Sequence, residues 1–96
     1  MNHEDQARIK ELIAKCKSKP GNWKYSSGFV LATFEMYLIF EREKPLSPMD
    51  HLLRAFAESG VQTCRGGAMT KERLQYLYDH HLKSKLKQHY LRTIKL

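Results

Sequence analysis

Arg65 stands between a threonine and two glycines in Thr63-Cys64-Arg65-Gly66-Gly67, and a run of cations and rings follows it: Lys71, Arg73, Tyr76, His80, Lys83 and Lys87. Set out at about 100° per residue, Arg73, Tyr76, His80, Lys83 and Lys87 share a helical arc of about 80°. Guanidinium and ammonium groups neutralise phosphates, so a basic, partly aromatic face of this kind can lie along nucleic-acid phosphates. Arg73 and Tyr76 come first on that helix, where a recognition helix meets base edges. Thr63 can hydrogen-bond locally and order the glycine loop, with Arg65 at its tip against a phosphate. The bland reading of the same residues is a solvated helix face and a connector that merely turns the chain.

The other chemistry-bearing residues assemble nothing. Cys64, His80 and His81, with Cys16 as a fourth candidate, lack the close pairs of a structural zinc site. No metal or cofactor is assigned. Cys64 beside Arg65 is a candidate low-pKa thiol, but no base is placed for it by sequence. Paired carboxylates, a phosphate-cradling P-loop and a dinucleotide fingerprint are all missing from the pattern. The reading is therefore non-enzymatic, with no catalytic residue. His81, on the apolar side of its helix, reads as a core histidine with a hydrogen-bond partner.

A formal charge of +7 calls for an anionic partner, and its distribution says where. Residues 1–69 nearly balance. Residues 70–96 carry seven Lys or Arg against Glu72 and Asp79, and after Asp79 no acid occurs. The expected partner is double-stranded DNA. The alternative is an acidic surface of a host protein complex, met by Trp23, Arg65, Lys83 and Lys87. Trp23 either caps the core from outside or stays exposed as an anchor for such an interface.

These residues need elements to position them, and the punctuation for helices is clear. Ninety-six residues make one small domain with one core. Ile9, Leu12, Ile13 and Cys16 form the apolar stripe of a first helix over 7–17, which Pro20-Gly21 ends. Ser26 or Ser27 caps a second over 28–43, apolar around most of its circumference and hence the core element; Tyr25, Phe29, Phe34, Tyr37 and Phe40 belong to that core. Ser47-Pro48-Met49-Asp50 starts a third with a serine cap and proline at its first position. Met49, Leu52, Leu53 and Phe56 make its stripe, and Gly60 with Val61 suits a Schellman ending. Thr70 caps a fourth that runs toward Thr93, with Leu74, Leu77, Tyr78, His81 and Leu82 inward. The expectation is an all-α bundle of about four helices, frayed at 1–5 and 94–96, with a glycine-rich loop at 61–69 between helices three and four. It is a monomer, or a homodimer through helix two.

The N-terminus is polar rather than basic-then-apolar, and the run 29–40 is too short to span a bilayer. No membrane partner is expected. Two cysteines without a secretory leader read as free thiols in a cytoplasmic protein.

Residues 55–77 resemble the helix–loop–helix of the recombinase domain that follows the catalytic domain in large serine recombinases. That family reads A-L-N-E-x-G-I, then T-x-x-G-x-x-W-T, then a helix with aliphatic residues four and seven positions later. Ala55, Glu58, Gly60, Thr63, Gly66 and Thr70 match, with Val61, Leu74 and Leu77 in the aliphatic slots and no gap. Ala57 replaces the family's asparagine, and Met69 its loop-pinning tryptophan. The resemblance implies DNA binding by an accessory or regulatory factor of a phage or other mobile element, without the catalytic domain. The spacing Phe56-x-x-x-Gly60-Val61 before a glycine loop is also similar, one residue out of register, to that of phage-type anti-sigma proteins, which implies an inhibitor of host machinery.

Overall fold

Three of the helices begin where a side chain replaces a missing backbone partner. In the structure, a computed structural model, residues 1–17 and 24–94 are described. Helix α1 spans His3–Cys16, with Asn2 Oδ1 accepting from the Asp5 amide at 2.8 Å. It starts before the apolar stripe does, because Asn2 caps it and Glu4 and Asp5 favour its positive end. Helix α2 spans Ser27–Glu43, and Ser26 Oγ accepts from the Phe29 amide at 3.1 Å. Helix α3 spans Pro48–Ser59. Ser47 occupies its cap position but makes no capping bond through its side chain, so Pro48, with φ already set, does the initiating.

The fourth helix is interrupted. Helix α4 (Lys71–Leu77) passes into a single π-helical turn (Tyr78–Leu82) and then into α5 (Lys83–Ile94), with helical dihedrals kept through both junctions. The Lys83 amide donates to the Tyr78 carbonyl, five residues back. A π turn takes in one extra residue, and the core explains why it is used here. In an uninterrupted α-helix Leu86 would lie about 180° around the axis from Leu77. Both are buried, at 2% and 0% exposure. The extra residue turns Leu82 and Leu86 back onto the face that Leu74 and Leu77 began.

Helix α2 lies at the centre, against α1 on one side and α3 on another, and the π turn also touches it. Leu12, Met36, Leu52, Phe56, Leu74, Leu77, Leu82 and Leu86 are fully buried. Each such side chain contributes about 1.5–3 kcal/mol by leaving water. Long-range polar pairs fix how the helices lie: Arg8 on α1 grips Glu35 on α2, with Nη2 2.8 Å from Oε1, and Arg42 Nη2 reaches both Asp5 oxygens at 2.8 Å. Tyr90 on α5 donates to Glu41 on α2. The buried Thr33 hydroxyl donates to the Phe29 carbonyl one turn back, at 2.9 Å. The result is the expected all-α bundle with its glycine loop before the fourth helix.

Candidate functional site

The chain leaves α3 through a Schellman ending: Gly60 sits at φ 70°, the Val61 amide donates to Phe56 at 3.0 Å, and the Gly60 amide to Ala57 at 3.3 Å. Val61 is buried and starts a small hairpin-like loop. Gln62 and Ala68 face each other as one antiparallel bridge. Inside it the Thr63 amide donates to Gly67 O at 2.8 Å, and the Gly66 amide to Thr63 O at 2.9 Å. Gly66 stands at φ 85°, a conformation closed to most side chains, so the turn needs glycine there. Met69, at the end of the loop, is buried.

Two side chains hold this loop in shape. The Thr63 hydroxyl, nearly buried, accepts from the Gly67 amide at 3.2 Å. Arg73, in the first turn of α4, sends Nη1 back to the Ala68 carbonyl at 2.8 Å, while its amide donates to the Thr70 cap at 3.3 Å. The guanidinium can lie there because residue 67 has no side chain: a Cβ on Gly67 would stand 2.6 Å from Nη1.

Beside the loop runs an open groove of about 720 Å³, lined by Lys24, Tyr25, Thr63, Cys64, Arg65, Gly67, Arg73, Tyr76 and His81. Three segments meet in it: the approach to α2, the loop, and the fourth helix with its π turn. Tyr25 joins them. Its ring packs tilted on Phe29 at 4.7 Å and meets His81 edge-on at 5.9 Å. Burial raises the Tyr25 phenol's pKa, partly offset by a hydrogen bond from the Cys64 backbone. None of the described residues lining the groove is acidic. On its outer lip Tyr76, 58% exposed, packs tilted against His80 with ring centres 4.0 Å apart.

Of the residues singled out by sequence, Thr63, Arg65, Arg73 and Tyr76 come together here, and His80 joins through Tyr76. Lys71, Lys83 and Lys87 are exposed but lie off the groove. The local bonding expected of Thr63 is present: its hydroxyl accepts from the Gly67 amide and shapes the loop. Two expectations need correction. Arg73 is latched onto the loop rather than extended toward base edges. The 80° stripe is also split: the extra residue of the π turn carries Lys83 from about 80° to about 180° from Arg73, and Lys87 from about 40° to about 140°. Trp23 lies outside the described residues.

Lys24, Tyr25 and the groove side of His81 were not anticipated. The one local signal was an aromatic residue just before the Ser26 cap, the place from which a side chain packs back onto the first turn. His81, expected as a core histidine, is half-buried on the groove wall.

Cys16 is buried and Cys64 half-buried, and both are free thiols. Among the described residues no three His, Cys, Asp or Glu side chains are grouped to hold a metal ion, and no helix is long and apolar enough to cross a membrane. Comparison with known protein families, with curated proteins and with solved structures finds no match.

Proposed function

We propose that this chain is a small, non-enzymatic DNA-binding protein whose interface is the groove between the approach to α2, the 61–69 loop and α4. As an accessory or regulatory factor of a phage or other mobile element, it fits the role that the resemblance to recombinase domains implies. One observation carries the reading: Lys24, Arg65 and Arg73 meet in one groove with two tyrosines, a histidine and no acid among its described lining. Cations held together by the fold attract a phosphate backbone, because binding releases the counterions condensed on it. Arg73 arrives with its guanidinium already positioned, so less side-chain entropy is lost on contact.

Fluorescence anisotropy with a labelled duplex tests it across salt concentration. Three phosphates met by Lys24, Arg65 and Arg73 give a log–log slope of about −2.7. Arg65→Ala should lower that slope by about one unit. Lys83→Ala and Lys87→Ala, turned away by the π turn, should leave it unchanged. Affinity no tighter than about 10⁻⁴–10⁻⁶ M at roughly 150 mM salt for every duplex tried is the non-specific range. That outcome overturns the proposal and transfers the basic surface to an acidic protein partner.

A further inference from the structure

The groove is more aromatic than backbone contact requires. A duplex presents a convex ridge of phosphates, which a flat basic face can meet. Here the cations surround a concavity whose volume, about 720 Å³, lies in the range that encloses a small organic ligand. Tyr25, Tyr76 and His81 line it. Their polar edges can donate to phosphates, but the ring faces serve no phosphate and stack on bases without regard to sequence. The latched Arg73 cannot reach along a major groove while it bonds Ala68, yet its fixed plane offers a further stacking surface and a charge on the same wall. Outside the lip the Tyr76–His80 pair, 4.0 Å apart, extends the aromatic surface for a neighbouring base.

Resting on the DNA-binding reading above, we infer that the groove takes one unpaired nucleotide of a DNA strand. Its base lies against Tyr25, Tyr76 and His81, and its flanking phosphates lie on Lys24, Arg65 and Arg73. The preferred ligand is thus DNA with a base already out of the stack, at a bulge, mismatch or strand end, where the cost of unstacking has been met in advance.

The test is anisotropy at about 150 mM salt with three labelled DNAs: a fully paired duplex, the same duplex with a single-thymine bulge, and that bulge with an abasic site in place of the thymidine. The bulged duplex should bind about tenfold tighter than the paired one, the size expected of one stacked base. The abasic bulge should lose that gain. Tyr76→Ala should bring the ratio of bulged to paired affinity toward one, and Tyr76→Trp should restore it; Tyr76 is exposed enough that both variants fold. Equal, salt-dependent binding of paired and bulged duplexes overturns this inference and leaves the DNA-binding reading standing. An abasic bulge that binds as well as the thymine bulge also overturns it, since the groove then reads a bent backbone. No binding to any of the three removes the DNA-binding reading itself.

Discussion

The guanidinium of Arg73 occupies the space where a side chain at Gly67 would begin: a Cβ there would stand 2.6 Å from Nη1, which donates to Ala68 O at 2.8 Å. Gly67 is therefore kept for the approach of Arg73. Gly67→Ala should displace the flexible head of Arg73 at a stability cost under about 1 kcal/mol, because no backbone atom stands in its way. The displaced guanidinium should weaken DNA binding several-fold. Thermal melts and anisotropy on the one variant separate the two effects; a large loss of stability would show the glycine serving the backbone instead.

Met69, at the end of the loop, is buried at 6% exposure in the same apolar core as Val61. Met69→Asp should cost roughly 2 kcal/mol or more, since it removes apolar contacts and buries a charge. Met69→Leu, which conserves volume, should cost less than about 1.5 kcal/mol. Urea denaturation of both checks this, and an Asp variant as stable as the parent would mean that the loop does not rest on the core.

The two thiols should react at different rates. Burial pushes the Cys16 thiol up to about 11, against the contact with the Thr33 hydroxyl that lowers it only in part, so near pH 8 it stays protonated as well as shielded. Cys64 on the groove wall is half-exposed. A thiol-reactive chromophore at pH 8 should label one cysteine promptly in the native protein and the second only on unfolding, and Cys64→Ser should remove the prompt phase. Two equal phases in the native state would contradict the burial of Cys16.

Glu35 links stability to pH through Arg8. The guanidinium holds the Glu35 carboxyl below its usual range, while partial burial opposes it. A carboxylate whose pKa is lower folded than unfolded stabilises the native state above its unfolded value, and that contribution is lost as pH falls through the folded value. Asp5, lowered chiefly by its hydrogen bond from Arg42, acts in the same direction. Glu35→Gln should therefore lower the melting temperature modestly at neutral pH, since the pair is partly solvated. The difference from the parent should shrink as pH drops below the carboxylate range. A difference that stays constant with pH would place the role of Glu35 in packing rather than charge.

The sequence by itself determined the helices and the bends between them, because their signals act within a few residues. Ser26 and Thr70 each bond the amide three residues on, Pro48 fixes its own φ, and Gly60 with Val61 closes α3 onto Phe56 and Ala57. The glycine loop was legible for the same reason, whereas the burial of Met69 followed only from its place in the resembled motif. Only the tertiary structure decided which cations face the same space. A constant 100° per residue placed Lys83 and Lys87 beside Arg73, and the π turn separates them, because burying Leu82 and Leu86 against α2 required one extra residue at Tyr78–Leu82. The drift of Leu86 from Leu77 was present in the sequence. Whether the helix unwinds locally or leaves Leu86 in water depends on the opposing surface of α2, about 50 residues away in the chain. Lys24 and Tyr25 reach the groove in the same way: no local rule joins them to residues 63–81, and the packing of α2 against the fourth helix brings them there.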